Sequence, residues 1–470
     1  MINVTDYGAV GDGVTECGPA IRQAWAAAVA AGGGVVRFPP GTYAINTLDP
    51  ASPFSMPQQT NTGALIYNPY QVAVLCQNGH DITIDFSGAV VTSTIIYGGC
   101  LFLFQGVNRL RLISPTIRGA QVMTTGIPGP LTITSGGSGY VNGTYNNVPL
   151  TGGSGGGAVD RVTVSGGAVT SIGMLYAGGG YAAGDVVSVN NTHLGGTGSG
   201  FSATVPTVDG AGPVVKVAAP HAISVVAVTT SSADISIYDL NAVGMYTALY
   251  CTSDPTLGHS VNNVALSGTT RAENCEYGIA LHNAGSNSFI ENLYAQASRP
   301  FFFYGVENVS INVVADKVNY GLQPLVKAYS LSTRNIHIRY TPINLPGQSG
   351  MVSLISFQVQ CDPTVVNVPV VEKIYLDFAE NNVRTQGLGI VFDYYAGAGG
   401  AVQQTSTALQ IFDQFVLRGK TASALMTSVR LTGTPCRINA DVLQRWVSTG
   451  TPGYATANPA NGFAQLTTPL

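Results

Sequence analysis

Acidic side chains are scarce in this chain, and several of them fall close together. Only 9% of its 470 residues are charged. Two glutamates nevertheless stand in the segment Arg271-Ala272-Glu273-Asn274-Cys275-Glu276-Tyr277, and Asp239 precedes them. Paired carboxylates can take up and release protons at a bond that is being broken, which is the requirement of general acid–base catalysis. We therefore predict that Glu273, Glu276 and Asp239 are the catalytic residues.

Further acids and aromatic residues follow the same stretch and could bind a substrate. Tyrosine offers a flat apolar ring with a polar tip, which suits stacking against a sugar ring. The predicted substrate-binding residues are Glu291, Asp316, Tyr246, Tyr277, Tyr294 and Arg271. Each acid could instead be a solvated turn residue. His282 and His337 lie within strand-like patterns, and we interpret both as hydrogen-bonded structural histidines.

Neither a metal site nor a cofactor is predicted. The seven cysteines are an odd number, are scattered singly and form no Cys-x-x-Cys pair. This pattern indicates neither a zinc site nor a disulfide framework. Gly178 to Gly184 is rich in glycine but precedes a strand-like segment, so it does not read as a phosphate-binding loop.

The overall composition excludes some classes of partner. A net charge of −4 offers no basic patch for nucleic acid. No apolar run approaches the roughly 20 residues that cross a bilayer, so no membrane partner is expected. The first strand-like residues begin at Ile2, which leaves no room for a signal peptide, and we expect synthesis in a cytoplasm.

The elements that must position these residues begin at the N-terminus. Ile2 to Val4 reads as a brief strand, and glycine-rich turns follow it. Ile21, Trp25, Ala28 and Val29 recur at helical spacing within residues 19–31. Three glycines end this helix, and a buried strand then stops at a Pro-Pro-Gly turn. The helix has one apolar face and is expected to cover an apolar surface.

This opening closely resembles the N-terminal signature of the pectate-lyase-like superfamily, as found in phage tailspikes and related polysaccharide-acting proteins. The matching segments are Val4-x-Asp6-Tyr7-Gly8-Ala9-x-Gly11-Asp12-Gly13, Ala20-Ile21-x-x-Ala24 and Gly33-Gly34-Val35-Val36-x-Phe38-Pro39-Pro40-Gly41-Thr42-Tyr43. The resemblance implies an all-β fold, a right-handed single-stranded parallel β-helix whose first coil is capped by the short helix. It does not fix the chemistry, because one fold can host many activities.

Short strands separated by turn residues continue along the chain, as a solenoid requires. They begin at residues 82–86 and resume from about residue 221. Asparagine marks the expected corners, because it tolerates left-handed geometry and its amide can ladder from coil to coil. The corner residues are Asn262-Asn263, Asn287, Asn308, Asn335 and Asn381-Asn382. The proline-rich residues 44–80 read as an irregular loop that crosses the first coils.

A glycine-rich segment interrupts this pattern and reads as an inserted small β domain. Gly166-Gly167 lies between two apolar runs and predicts a hairpin. The insert could bind carbohydrate, dock to a virion or only stabilise the fold. The predicted domains are 1–45 (N-terminal cap), 46–124 (first coils), 125–213 (insert), 214–397 (main β-helix) and 398–470 (last coils and C-terminal cap or assembly region).

The resemblance also implies a function and partners. It implies a phage tailspike-like protein of the virion tail, a homotrimer that contacts other tail proteins. Such a protein would bind a bacterial capsule, O-antigen or other surface polysaccharide and depolymerise it as a glycoside hydrolase or lyase. The alternative is a receptor-binding or structural tail protein without catalysis. The Gly258-His259-Ser260 segment is not transferred to the Gly-His-Gly of polygalacturonases, because the companion motifs of those enzymes are missing.

Overall fold

The protein is a right-handed parallel β-helix with few helical residues. The computed structural model describes residues 1–59, 65–96, 98–120, 123–124, 127–128, 131–209, 214–215, 219–316, 323–327, 331–343, 355–360, 371–379, 390–394, 410–420, 427–430 and 437–438. Most of the predicted region 398–470, as well as the corner Asn381-Asn382, lies outside these residues.

The N-terminal part combines one helix, α1 (Gly18–Ala30), a 3₁₀ turn (Val4–Tyr7) and eleven strands. The strands are β1 (Ile2–Asn3), β2 (Asp12–Glu16), β3 (Gly34–Arg37), β4 (Gly41–Ala44), β5 (Asp49–Gln59), β6 (Leu65–Gln77), β7 (Ile82–Asp85), β8 (Ala89–Thr92), β9 (Cys100–Gln105), β10 (Asn108–Ile113) and β11 (Thr116–Arg118).

Two further groups of strands follow. The first comprises β12 (Met123–Thr124), β13 (Ile127–Pro128), β14 (Thr132–Ser138), β15 (Gly143–Gly152), β16 (Gly156–Ser165), β17 (Ala168–Gly179), β18 (Val186–Val189), β19 (Ser199–Thr204), β20 (Val208–Asp209) and β21 (Val214–Val215), with a 3₁₀ turn at Asn191–Leu194. The second comprises β22 (His221–Ala227), β23 (Ser232–Tyr238), β24 (Asn241–Val243), β25 (Thr247–Ser253), β26 (Val261–Ser267), β27 (Thr270–His282), β28 (Ser288–Tyr304), β29 (Glu307–Asp316), β30 (Gln323–Lys327), β31 (Thr333–Ile343), β32 (Ile355–Gln360), β33 (Val371–Ala379), β34 (Ile390–Tyr394), β35 (Gln410–Lys420), β36 (Thr427–Arg430) and β37 (Arg437–Ile438).

Parallel pairing stacks the solenoid strands into three ladders, one for each face. The first ladder runs β1–β3–β7–β10–β23–β26–β28–β29–β31–β33–β35–β37. The second runs β2–β4–β8–β11–β24–β27–β28–β29. The third runs β6–β9–β22–β25–β27–β28–β30–β32–β34–β36. The long strands β27 and β28 bend around corners and so serve more than one face.

Asparagines occupy several corners, as the sequence pattern predicted. Asn308 has a backbone φ of 57°, in the left-handed region that asparagine tolerates. Its side-chain amide donates to Asn287 Oδ1 at 2.8 Å, and the amide of Asn335 donates to Asn308 Oδ1 at 2.7 Å. The predicted amide ladder is confirmed at these three corners.

The inside of the coils is apolar, and helix α1 covers its first end. Trp25 is 4% exposed; its ring meets Phe104 edge-on at 5.8 Å, and its indole N–H donates to the carbonyl of Gln77 at 3.2 Å. Pro19 stands in the first turn of the helix, where its missing N–H leaves no hydrogen bond unmade. The helix therefore closes the core at the end where no further coil stacks.

The expectation of an irregular loop at residues 44–80 is wrong. Strands β5 and β6 form an antiparallel hairpin, and the second half of β6 joins the third ladder beside β9. Four prolines had concealed this hairpin. Proline is tolerated on an edge strand, and within the described ranges β5 pairs only with β6.

Strands β14 to β19 form a separate six-stranded sheet with an apolar cluster of its own. The solenoid strands on either side of this segment are direct neighbours, since β9 pairs with β22, β10 with β23 and β11 with β24. The segment therefore leaves the stacking of the coils unbroken. Within it, β16 and β17 pair across the predicted Gly166-Gly167 turn.

Candidate functional site

Five outward-facing residues of the second ladder form a compact polar cluster, which we call the acid column. It consists of Arg271, Glu273, Tyr294, Gln296 and Asp316. Alternation places them outside, because the residues between them, Ala272, Ala295 and Ala315, are fully buried in the core. The small inward alanines fix which side chains of β27, β28 and β29 point away from the apolar core.

Strand register aligns the members of the acid column across neighbouring coils. Arg271 is the partner of Tyr294, and Glu273 is the partner of Gln296. Ala295 pairs with Ala315, so the next residue of β29, Asp316, falls beside Gln296. Glu273 and Asp316 thus occupy one row, two strands apart. Strand spacing puts their backbones about 9.5 Å from each other.

Side-chain contacts tie the column together. The Arg271 guanidinium donates to Glu273 Oε1 at 3.3 Å and lies 5.2 Å from the centre of the Tyr294 ring. The Tyr294 hydroxyl donates to Asp316 Oδ2 at 2.7 Å. One continuous set of contacts therefore joins the two acids, with a cation beside the first and a phenol beside the second.

The phenol of Tyr294 stays protonated over the whole physiological range. Its hydrogen bond to Asp316, its burial and the charges of Asp316 and Glu273 raise its pKa to about 12, and the charge of Arg271 opposes them. A protonated phenol is a permanent hydrogen-bond donor at this position.

The two acids differ in environment. Asp316 is 6% exposed, and its Oδ1 has no hydrogen-bond partner among the described residues. The side chain of Glu273 is 33% exposed and is paired with a cation. A buried carboxyl oxygen without a partner is rare in folded proteins and is often found at a functional site.

Glu276 and Tyr277 lie around a corner from the acid column. Asn274 has a φ of 53°, and the register of β27 shifts between Glu273 and Cys275. Glu276 forms an ion pair with Arg299, whose guanidinium lies 5.2 Å from the centre of the Tyr277 ring. The two predicted catalytic glutamates therefore stand on different faces and pair with different arginines.

Another side chain contacts the ring of each tyrosine predicted to stack on a sugar, namely Tyr246, Tyr277 and Tyr294. Tyr246 meets the edge of Tyr277 at 5.5 Å, and the arginines lie over Tyr277 and Tyr294. A sugar would stack on these rings only where the neighbours leave a face open.

Asp239 and Glu291 both bind one turn. Asp239 Oδ1 accepts the backbone N–H of Thr269 at 2.9 Å, and Glu291 Oε2 accepts that of Gly268 at 2.8 Å. Asp239 itself has a φ of 52°. Carboxylates in this position satisfy turn amides, which gives both residues a structural role.

A second group of rings, which we call the outer aromatic cluster, lies on the third ladder. His221 stacks on Tyr250 at 4.6 Å, and His282 stacks on Tyr304 at 4.5 Å. The ring of His282 contacts the Tyr250 hydroxyl at 3.1 Å, in line with the structural role predicted for it. Burial lowers the pKa of His221 to about 3, so that ring is neutral.

The hairpin β5–β6 covers part of this cluster. Met56 is fully buried against it, and the Thr252 hydroxyl donates to the carbonyl of Pro57 at 3.1 Å. Tyr67 also donates to the carboxylate of Asp254. Sequence reasoning missed the hairpin and His221, because register across the ladder is not visible in one chain.

Gln296 and Arg299 were also not predicted. The sequence did contain a signal for Gln296, since a residue two positions after Tyr294 on a strand must share its face. The sequence contained no signal for Arg299, because its contact with Glu276 depends on the corner at Asn274. In the described part of the chain no group of three or more His, Cys, Asp or Glu residues could hold a metal ion. No described helix is long and apolar enough to cross a membrane.

The sequence comparisons with known proteins match the N-terminal part of the chain, which contains the cap. Residues 1–51 match the family model described as rhamnogalacturonase A/epimerase, pectate lyase-like. Rhamnogalacturonase A of Emericella nidulans is 58% identical over 45 residues, which are 10% of this chain and 8% of that protein. The match spans about a tenth of the length of the curated relatives. The resemblance of the N-terminal segment to the pectate-lyase-like superfamily is therefore confirmed, and the acid column lies outside the matched residues.

Solved structures give whole-length matches at low identity. The hyperthermoactive exopolygalacturonase of Thermotoga maritima is 10% identical with a TM-score of 0.43, covering 92% of this chain and 88% of its own. The tailspike protein of Escherichia coli bacteriophage HK620, solved with a pentasaccharide, is 6% identical with a TM-score of 0.39, covering 97% of this chain and 64% of its own.

Proposed function

From a pectate-lyase-like cap and a right-handed parallel β-helix, we propose that this chain is a glycoside hydrolase that binds and cleaves a polysaccharide on its outer surface. The proposed catalytic pair is Glu273 and Asp316. The observation that carries this proposal is their placement in one outward row two strands apart, held by Arg271 and Tyr294.

The spacing of the two acids supports hydrolysis with inversion. Inverting glycosidases separate their carboxyl groups by about 6.5–9.5 Å so that a water molecule fits beside the sugar, whereas retaining enzymes separate them by about 5–5.5 Å. The backbones of the two acids lie about 9.5 Å apart, a spacing from which their carboxyl groups can take up a separation within the inverting range. Gln296, between the acids, faces the same side and is placed to hydrogen-bond a sugar hydroxyl.

Isosteric variants test the proposal. We expect Glu273→Gln and Asp316→Asn each to reduce depolymerisation at least a hundredfold, the lower bound typical of a lost general acid or base. Asp239→Asn and Glu291→Gln are matched controls, because they remove a charge from acids that accept hydrogen bonds from turn amides. The readout is the decrease in size of capsular, O-antigen and pectic polysaccharides. If all four variants cleave equally well, the pair is wrong.

The same assay separates hydrolysis from elimination. A lyase leaves an unsaturated uronate, which absorbs in the ultraviolet, and a hydrolase does not. If the wild-type chain binds a glycan without cleaving it, the second candidate holds: a receptor-binding protein without catalysis. The ion pair of Glu276 and the turn contacts of Asp239 and Glu291 favour that candidate, since they give three of the predicted acids structural partners.

We further propose a phage tailspike-like role, in which a homotrimer in the virion tail contacts other tail proteins and recognises a bacterial surface polysaccharide. Two observations support it: the N-terminal signature and the exposure of large apolar side chains on the first ladder. Tyr238, Phe289 and Tyr375 are 45%, 53% and 38% exposed. Light scattering of the purified chain tests the trimer, and a monomer at micromolar concentration would contradict it.

A further inference from the structure

A cation stands in line with the acid column, two strands before it. We propose that Arg118 binds an anionic group, the carboxylate or phosphate of an acidic sugar, beside the point of cleavage. The outer surface of the second ladder thereby selects an acidic polysaccharide. This inference rests on the proposed function, which names no class of sugar.

Strand register places Arg118 in the same outward row as Glu273. Arg118 is the partner of Val243 in the next coil, and Val243 is the partner of Glu273. Ile117, the residue before Arg118, is fully buried in the core, so alternation turns Arg118 outward. Two strand steps put the backbones of Arg118 and Glu273 about 9.5 Å apart. A sugar chain that lies along the row and meets Glu273 therefore presents a neighbouring unit to Arg118.

The side chain of Arg118 is available to a ligand. It is exposed and takes part in no ion pair with any described residue. The two other cations on the described strands of the second ladder, Arg271 and Arg299, are paired with Glu273 and Glu276. A guanidinium presents its N–H donors in a planar fork that matches two oxygens of a carboxylate or a phosphate. Arg118 is therefore the cation of this ladder that suits an anionic sugar.

The root of the insert extends along the same row. The chain leaves the coils after Gly119, whose N–H donates to the carbonyl of Val243 at 2.8 Å. Strand β12 then pairs with the returning strand β21. β21 lies beside β27 and β28, which are two and three strands beyond β11 in the second ladder. The paired strands thus run from Arg118 toward the acid column and are placed to limit sideways movement of a sugar chain on the row.

Removal of the charge on either partner tests the pairing. The probes are capsular, O-antigen and pectic polysaccharides, each intact, after chemical reduction of its carboxyl groups and after removal of its phosphate groups. Binding is measured in the Asp316→Asn background, in which cleavage is slow. Arg118→Gln should weaken binding of the intact acidic polymer about tenfold, the effect of a lost charge-assisted hydrogen bond. Removal of the anionic group should weaken it equally, and both changes together should cause no further loss.

A second arginine provides the matched control. Arg111 is also exposed but stands on the first ladder, so Arg111→Gln should bind every probe as its parent does. An increase in NaCl from about 0.01 M to about 0.1 M shortens the Debye length from about 30 Å to about 10 Å. This increase should weaken binding of the acidic polymer more in the parent than in Arg118→Gln. Near-ultraviolet circular dichroism must match the wild type, and Glu273→Gln replaces the Asp316→Asn background if the latter unfolds.

The outcomes separate this inference from the proposed function. Equal losses for Arg111→Gln and Arg118→Gln overturn the role of Arg118. Additive losses for Arg118→Gln and removal of the anionic group do so as well, as does binding that is confined to neutral glycans. A chain that binds none of the probes overturns the proposed function and this inference together. If the wild type binds an acidic glycan through Arg118 and does not cleave it, only the proposed hydrolysis fails.

Discussion

Tyr294 is the residue that connects the two acids of the column. It contacts Asp316 through its hydroxyl and Arg271 through its ring, and Arg271 in turn contacts Glu273. A phenol whose pKa is about 12 remains a donor at every working pH. Its contribution is therefore positional, because it fixes the orientation of the Asp316 carboxyl group.

Removal of the Tyr294 hydroxyl should show this positioning. Tyr294→Phe leaves Asp316 Oδ2 buried without its donor, which costs about 1–3 kcal/mol of unfolding free energy. We expect cleavage to fall by about tenfold, equivalent to about 1.4 kcal/mol of the activation barrier. Urea unfolding and steady-state kinetics measure the two effects. Tyr238→Phe is the matched control, because Tyr238 is 45% exposed on another face; an equal effect there would contradict the role.

The sequence predicted the types of residue in the site better than their grouping. Arg271, Glu273, Tyr294 and Asp316 were all predicted, and the structure brings them together in one cluster. Glu276 was expected to join Glu273, but the left-handed Asn274 turns it onto another face. A corner of this kind depends on the coils above and below, so a single sequence does not reveal it.

At the scale of elements, the asparagine corners combine backbone and side-chain effects that can be separated. Asn308 has a φ of 57° and bonds to Asn287 and Asn335. Asn308→Ala loses the amide contacts and also forces alanine into a left-handed conformation, which costs about 1–2 kcal/mol. Asn308→Gly loses only the contacts. We expect alanine to lower the unfolding free energy by about 1 kcal/mol more than glycine, and equal losses would contradict the backbone contribution.

The inserted sheet contains a buried acid that makes its stability depend on pH. Asp160 is fully buried, and neither carboxylate oxygen has a hydrogen-bond partner among the described residues. Burial raises its pKa from 3.8 to about 7. The folded state therefore binds the proton more tightly, so stability falls as pH rises from about 4 to about 7 and is constant above. The penalty is at most about 4 kcal/mol.

Amide hydrogen exchange of β16 and β17 at pH 5 and pH 8 measures this effect, after correction for intrinsic exchange rates. The wild type should lose protection at the higher pH, and Asp160→Asn should not. Asp185→Asn is the control, because the hydrogen bonds from Ala182 and Ser154 lower the pKa of Asp185 and keep it ionised at both values. Protection that is independent of pH in the wild type would contradict the account.

The cap depends on a close approach between Trp25 and Gly79. A Cβ at Gly79 would lie 2.4 Å from Trp25 Cζ2. Gly79→Ala should therefore cost about 1–3 kcal/mol of unfolding free energy, as overpacking does. Trp25→Phe should reduce that penalty, a coupling that a double-mutant cycle measures. Gly156→Ala, where a Cβ meets nothing within 4 Å, is the control. If the losses of unfolding free energy of Gly79→Ala and Trp25→Phe were additive, the two residues would not be in contact.

At the scale of the whole molecule, repeated short strands and a long N-terminal signature were enough to predict the β-helix. The three ladders of parallel strands confirm the prediction. It was possible because a period-2 pattern with asparagine corners leaves few other ways to bury the apolar side chains. The β5–β6 hairpin was not predictable in this way, since its prolines conceal a strand for which the described part of the chain offers one pairing partner, β6. Register between coils, which builds the acid column, is a property of the stack.

The solenoid gives the site its geometry, since neighbouring coils repeat at a nearly fixed distance. Glu273 and Asp316 are separated by one intervening strand, and this spacing is the reason to expect a water molecule between the acid, the base and the sugar. The stereochemistry of the product therefore reports directly on the fold.

Proton NMR of the first product, recorded before mutarotation is complete, tests this claim most directly. Wild-type protein acting on its polysaccharide should release a reducing end of inverted anomeric configuration, and Asp316→Asn should release it at least a hundredfold more slowly. A product of retained configuration would contradict the two-strand spacing of the acids. An unsaturated product would contradict hydrolysis itself.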